Sequence, residues 1–315
     1  MSTLPQHPSE GTERERASLV VARAARALAA AGVEAARAEA EQLAAYVLAV
    51  PRGRLALADG FGPAQRDRLD ALVARRVARE PLQHLVGVAG FRHLELAVGA
   101  GVFVPRPETE LLAGWGIDHA RRLAAPLVVD LCSGSGAIAL AVAQEVPAAR
   151  VVAVERSPAA LSWLRRNAAA RAEAGDRPVE VVAADVTDPE LLADLVGRVD
   201  VLLCNPPYVP RSVVVPPEVA DHDPDEAVFG GTDGLDVIRP VVARAAALLR
   251  PGGAIGVEHD DTHATAVPAL LAGDGRYERV AEHRDLAGRP RWATASRRAD
   301  GRHADSGTAW QTDSS

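Results

Sequence analysis

The sequence predicts an α/β fold: a doubly wound, mostly parallel sheet with a C-terminal antiparallel hairpin, preceded by a small N-terminal helical bundle and a β-hairpin linker. Three observations support this. From Pro107 onward, short apolar runs alternate with helical-period segments, as βα units with parallel strands require. Between about Arg14 and Glu80, Ala, Leu and Arg dominate at helical spacing. Near the end, two alternating runs flank Leu286-Ala287-Gly288-Arg289-Pro290, a turn between antiparallel partners. The expected divisions are a disordered 1–13, a helical domain 14–83, a linker 84–106, a sheet domain 107–297 and a disordered tail 298–315.

The first helix covers Leu19–Ala30 and stops at Gly32; the second covers about Glu34–Leu48 and ends before Pro51. A third begins near Pro63, a good first-turn residue, and runs to Ala78 ahead of Pro81. In the linker, Phe91–Leu96 and Val102–Val104 read as strands around Gly99-Ala100-Gly101. Strands are expected at Leu127–Leu131, Val151–Val154, Val179–Val182, Val199–Cys204 and Ala254–Val257. Helices are expected at Ala137–Glu145, Pro158–Ala172 and Asp236–Leu249, and the terminal hairpin at Tyr277–Arg284 and Arg291–Ser296.

The 315 residues suffice for one large core and a smaller module. Hydrophobic content is 48% with only 3% aromatic, so Ala, Val and Leu must build the core. All 35 basic residues are Arg, which fits a GC-rich coding bias, and the net charge of −7 weighs against a dedicated nucleic-acid binder. Cys132 and Cys204 show no metal spacing and read as two small buried apolar groups, with a redox-sensitive pair as the alternative. His259, Asp260, Asp261 and His263 look like ligands on paper but lack a further well-spaced partner, so a polar loop and no metal are expected. No apolar run reaches membrane-spanning length and the N-terminus lacks a signal pattern, so a cytoplasmic protein is expected.

Two turns carry the chemistry. Asn205-Pro206-Pro207-Tyr208 follows the apolar run Val199–Cys204 directly. Two prolines cannot continue a ladder, so the chain leaves the strand in a stiff extended turn. That turn holds the Asn205 amide and the prolyl carbonyls at the C-terminal sheet edge, where open α/β folds bind ligands. Rigid acceptors beside a tyrosine suit a planar –NH2 group, either an amide or an exocyclic base amine. The second turn is Asp130-Leu131-Cys132-Ser133-Gly134-Ser135-Gly136, a strand running through glycines into a helix. About twenty residues on, Val154-Glu155 ends the next strand with a carboxylate suited to ribose hydroxyls. Asp185, followed by Val186, ends the third strand with another acid on the same edge.

Together these motifs resemble a Rossmann-like, class I methyltransferase dependent on S-adenosylmethionine. Further segments narrow the likeness: Arg79-Glu80-Pro81-Leu82, Val104-Pro105-Arg106-Pro107-Glu108-Thr109-Glu110, Gly230-Gly231-Thr232-Asp233-Gly234, Pro251-Gly252-Gly253 and Asp285-Leu286-Ala287-Gly288. Across roughly residues 14–297 the chain resembles the release-factor glutamine methyltransferase (HemK/PrmC) family. The resemblance implies methyl transfer from S-adenosylmethionine to a glutamine amide of a peptide chain release factor, with the helical domain as docking surface. The same chemistry on a ribosomal-protein glutamine, or on an amine of DNA or RNA, is the alternative. A monomer needing neither nucleic acid nor membrane is expected.

By the same resemblance Asp130, Cys132, Ser133, Gly134, Ser135 and Gly136 belong to the cofactor cradle, the turn wrapping the methionine part. Glu155 would bind ribose, Asp185 and Val186 would lie near adenine, and Asn205 would border the cofactor. Asn205 and the Pro206 carbonyl would accept the two N–H bonds of the substrate amide, with Pro207 beside them and Tyr208 packing on its plane. Three positions depart from the family: Cys132 replaces a usual glycine, Glu155 a commoner Asp, and Val186 an occasional aromatic. Arg106 and Glu108 read either as an ordinary surface ion pair or, as the resemblance implies, as part of a segment that borders the cofactor pocket, with no catalytic role.

Overall fold

The computed structural model describes residues 14–299, which group into two compact units. The segments expected to be disordered, 1–13 and all but the start of 298–315, lie outside the described residues.

The first unit is helical: α1 (Ala17–Ala30), α2 (Ala36–Leu48), α3 (Pro63–Val77) and the short α4 (Leu82–Val86). Val20, Val21, Ala24 and Leu28 recur on one face of α1 and meet Leu43, Phe61 and Leu69 in a single core. α1 stops where Gly32 takes φ +75°, and α3 starts at Pro63 with the Gln65 side chain accepting from Gly62 N–H at 3.0 Å. Two short pieces outside its continuous stretch, Val98–Ala100 and Val215–His222, also group with this unit. The second piece contains α8 (Pro217–His222). Its Glu218 accepts from buried Arg76 at 3.0 Å and from Arg79 at 2.7 Å, while Arg76 also grips Glu39 at 2.6 Å.

The second unit carries a seven-stranded sheet: β3 (Leu127–Leu131), β4 (Arg150–Glu155), β5 (Glu180–Ala183), β6 (Val199–Cys204), β7 (Leu249–Glu258), β8 (Tyr277–Arg284) and β9 (Pro290–Arg297). The spatial order is β5-β4-β3-β6-β7-β9-β8, with β5 through β7 parallel and β9 antiparallel to both its neighbours. Alternate residues serve opposite faces. Val128 and Leu203 pack with α5 (Thr109–Ala120), α6 (Ala137–Glu145) and α7 (Pro158–Glu173). Val129 and Leu202 pack with α10 (Ile238–Leu248) and α11 (Ala266–Gly273). The chain winds outward from β3 through β5, then returns to place β6 on the other side of β3, so a topological switch point opens between these two strands.

Three expectations need correction. The small hairpin pairs β1 (Val88–Phe91) with β2 (Leu94–Ala97), turning at Arg92-His93, and Val102–Val104 is not a strand. A non-glycine turn is held there because Arg92, at φ +52°, is fastened by its guanidinium to Glu145 at 2.5 and 3.0 Å. β7 begins five residues earlier than expected, at Leu249 rather than Ala254, and β5 is shifted to Glu180–Ala183. The sequence reading also passed over α5, α11 and the single-turn α9 (Asp225–Val228). Gly114 and Gly116 weaken the helical pattern of α5, yet Gly116 is what lets it approach β6: a Cβ there would lie 2.5 Å from Leu203 Cδ1.

Candidate active site

The turn leaving β3 is built from alternating left-handed residues: Cys132, Gly134 and Gly136 have φ of +58°, +54° and +89°. The φ of +89° at Gly136 favours glycine, and a Cβ there would also crowd Leu164 Cδ1 at 2.6 Å. At Gly134 an added Cβ would meet nothing within 4 Å, so the turn is open on that side. Ser133 hydroxyl donates to the Asp130 carbonyl at 2.9 Å, and Asn167 ties the Ser135 carbonyl to α7 at 2.9 Å.

Asp130 lies beneath this turn rather than lining it. It is buried, accepts from Ala139 N–H at 3.2 Å, and burial pushes its carboxyl up to about 7. Glu155, at the end of β4, braces the turn from the side. Its carboxylate accepts from the backbone N–H groups of Gly134, Arg156 and Ser157, each at 2.8 Å. Three amides leave a carboxylate one acceptor position, which fits the ribose hydroxyl expected there. Asp185 is partly exposed, accepting from Thr187 and pairing with Arg156 at 3.2 Å, while Val186 is buried in the core beside it.

Across the switch point, β6 delivers Asn205 and Tyr208 half-buried and Pro206 and Pro207 buried. The following backbone is clamped. Val209 N–H donates to the Val228 carbonyl and Gly230 N–H to the Val209 carbonyl, both at 3.0 Å, and Arg211 N–H donates to the Gly231 carbonyl at 2.9 Å. A Cβ on Gly230 would sit 2.6 Å from the Pro207 carbonyl, and one on Gly234 would strike the Tyr208 carbonyl and His263. The glycine pair thus lets the 230–234 loop lie against the Asn-Pro-Pro-Tyr backbone. His263 Nε2 bonds the Asp233 carbonyl at 2.9 Å, giving that histidine a structural task. Among the described residues no cluster of His, Cys, Asp or Glu is disposed to hold a metal ion.

Beneath the turn is a polar cluster that sequence reasoning missed in part. Asn205 Nδ2 donates to the Thr109 hydroxyl at 3.1 Å, and Tyr208 O–H donates to Glu258 at 3.1 Å. Thr109 opens α5 and is buried; Glu258 ends β7 and is fully buried. Burial pushes the Glu258 carboxyl up to about 7, although the Thr109 and Tyr208 hydroxyls favour its charged form. Burial, followed by the Glu258 charge, pushes the Tyr208 phenol well above its ordinary range, so it stays a donor. Glu258 was visible as a charge closing an apolar strand, but a loop acid looks the same in sequence.

Arg106 does not pair with Glu108. It reaches buried Asp223 at 2.7 Å and lies over the Phe103 ring at 4.5 Å. Of the cysteines, Cys204 is buried as expected and Cys132 only partly so; both are free thiols, and burial with Cys132 beside it pushes the Cys204 thiol well up.

Comparison with known proteins places these features in context. A family model described as the PrmC N-terminal domain matches residues 20–87, and the methyltransferase small domain matches residues 117–219. The release factor glutamine methyltransferase of Mycolicibacterium smegmatis is 53% identical over 270 residues, covering 86% of this chain and 94% of that protein. The protein of the same name from Streptomyces coelicolor is 50% identical, covering 87% and 96%. Among solved structures, the hMettl16 catalytic domain in complex with MAT2A 3'UTR hairpin 6 shares the fold, with a TM-score of 0.51 at 16% identity over 65% of this chain and 76% of that one.

Proposed function

The chain belongs to the release factor glutamine methyltransferase family, and from that premise we propose that it transfers the methyl group of S-adenosylmethionine to the side-chain amide nitrogen of a glutamine in peptide chain release factors. The observation that carries the reading is the Asn205–Tyr208 turn, clamped at the switch point across from the glycine turn after β3. When bound, S-adenosylmethionine supplies an electrophilic methyl group on a sulfonium sulfur.

The difficulty lies with the nucleophile, since an amide nitrogen shares its lone pair with the carbonyl. Asn205 Oδ1 and the Pro206 carbonyl accept its two N–H bonds, fix the nitrogen in line and stabilise positive charge as it develops. Pro206 and Pro207 hold these acceptors still, and Tyr208 packs on the amide plane with its hydroxyl anchored on Glu258. On the cofactor side the Cys132–Gly136 turn would wrap the methionine part and Glu155 would take the ribose. Asp185 and Val186 would border the adenine. The helical unit serves as the docking platform for the folded release factor. We take the chain to act as a cytoplasmic monomer without nucleic acid; no helix among its described residues is long and apolar enough to cross a membrane.

The test is direct. Purified chain, release factor and methyl-labelled S-adenosylmethionine should yield a release factor carrying one added methyl on a glutamine side chain, located by peptide mass spectrometry. Label on nucleic acid or a ribosomal protein, with none on the release factor, would refute the assignment.

A further inference from the structure

We propose that Thr109 is a positioning residue that sets which way round the Asn205 amide lies, and that Glu258 makes this setting one-directional. The proposal rests on the methyl-transfer reading above and deepens it.

A primary amide has two nearly isosteric ends, and only the oxygen end can accept an N–H bond from a substrate. A flipped Asn205 would present two donors to a substrate that itself offers donors. Something must hold the other end. Asn205 Nδ2 points at the Thr109 hydroxyl at 3.1 Å, and Thr109 is only 3% exposed, so water cannot substitute freely for it.

A hydroxyl alone cannot make the choice, because it accepts from an amide N–H as readily as it donates to an amide oxygen. The decision comes from what claims the hydroxyl proton. Glu258 is 0% exposed and already accepts from Tyr208 O–H at 3.1 Å, and the Thr109 hydroxyl favours its charged form. Its second oxygen has no hydrogen-bond partner among the described residues. An ionised carboxylate accepts only, so the Thr109 proton is drawn toward Glu258 and the Thr109 lone pairs face Asn205. Two links of the relay are in place, Asn205 Nδ2–H to Thr109 and Tyr208 O–H to Glu258; on this proposal the Thr109 O–H supplies the third by turning to the unpartnered Glu258 oxygen. One buried acid therefore orients both side chains expected to touch the substrate amide.

The packing explains why these residues meet. Gly116 and Gly256 let α5 lie close on β6 and β7: a Cβ on Gly256 would be 2.6 Å from Leu112. That approach sets the first residue of α5 over the ends of both strands. The Pro-Arg-Pro-Glu-Thr-Glu segment and the Asn-Pro-Pro-Tyr turn are thus two halves of one hydrogen-bonded unit.

Protonation of Glu258 reverses the logic, because a carboxylic acid can donate to Thr109 and free Asn205 to flip. Its carboxyl, up at about 7, would change state near neutrality. The charged or titratable groups facing it are Glu108 beside α5, Arg291 on β9, the Tyr208 phenol and the Cys204 thiol on β6; Glu108 favours the protonated form and Arg291 the ionised one.

The experiment compares wild type, Thr109→Ser, Thr109→Val and Glu258→Gln for methyl transfer to release factor across pH 6 to 9, with cofactor affinity measured separately. Thr109→Val should lose about tenfold to a hundredfold in kcat, a fraction of the loss from removing a direct contact, with cofactor affinity unchanged. Thr109→Ser should stay within about threefold of wild type, by keeping the hydroxyl. Glu258→Gln should be slow and should lose the wild-type rise in kcat with pH through neutrality. A second readout is independent of activity: the Asn205 side-chain N–H resonances should exchange slowly with water in wild type and Thr109→Ser, and fast in Thr109→Val. Wild-type kcat in Thr109→Val, equal losses in the Ser and Val variants, or unprotected Asn205 protons in wild type would each overturn the proposal. A wild type inactive on release factor would instead count against the substrate assignment, with the exchange measurement still deciding the role of Thr109.

Discussion

At the scale of single residues, two side chains give separable predictions. Asn205→Ala removes one of the two acceptors proposed for the substrate amide while leaving the prolines and the β3 turn in place. It should lower kcat/KM by about 3 kcal/mol of transition-state stabilisation, the magnitude seen when one preorganised hydrogen-bond partner is lost. Cofactor affinity measured by calorimetry should change little. Asp130 provides a test of stability. Its carboxyl is raised by burial to about 7 from an ordinary 3.8, so the folded protein binds that proton more tightly than the unfolded chain. The folded state bears no penalty from Asp130 below pH 4, acquires one between pH 4 and 7, and carries it in full above 7. Asp130→Asn removes the titration and keeps an acceptor for Ala139 N–H. The stability gap between variant and wild type should therefore move in favour of the variant by on the order of 3 kcal/mol from pH 4 to pH 8. Denaturant midpoints at the two pH values measure it, and a gap independent of pH would contradict the assignment. Asn205, Tyr208 and Glu155 were legible because motif and spacing announce them. Asp130 was legible as a member of its motif, but its place under the turn was not, since burial of one acid among several depends on packing from α6.

Secondary elements divide along the same line. β3, β4 and β6 could be read from sequence because strands buried on both faces are short continuous apolar runs ended by turn residues. The β1–β2 hairpin could not, because its turn is made by Arg92 in a left-handed conformation, with its guanidinium tied to Glu145 and to the Glu110 carbonyl. Gly99-Ala100-Gly101 offered a more conventional turn and drew the strands to the wrong place. The 230–234 loop shows the converse. Its glycines were visible in sequence, and the structure supplies the reason: close approach to the backbone of Pro207 and Tyr208. Gly234 has φ +77°, and a Cβ there would also lie 2.6 Å from His263. Gly234→Ala should combine backbone strain of about 1 to 3 kcal/mol with displacement of the tyrosine carbonyl. The expected result is a lower melting temperature together with reduced kcat, whereas Gly273→Ala in α11, where a Cβ meets nothing within 4 Å, should change neither substantially.

For the whole molecule, chain order and structural grouping disagree at one telling place. Val215–His222 follows the Asn-Pro-Pro-Tyr turn in sequence, yet it groups with the helical unit, where its Glu218 pairs with two arginines. Sequence reading assigns a stretch to the domain that surrounds it, and an ion-pair tether of this kind leaves no local pattern to say otherwise. The buried member, Arg76, is 6% exposed and is shared by Glu39 and Glu218. Arg76→Ala leaves Glu39 without a cation and Glu218 with only Arg79, and loss of one partner from a buried pair costs on the order of 3 kcal/mol. If the grouping is energetic as well as spatial, that cost falls on the helical unit alone. Amide exchange measured by mass spectrometry in the native state should then speed up in peptides from 17–86 and, with them, in peptides containing 215–222. Peptides from β3, β4 and β6 should keep wild-type protection. Acceleration confined to 17–86 would mean that the 215–222 piece is held by its chain neighbours instead. Acceleration spread through the sheet would mean that the two units unfold as one.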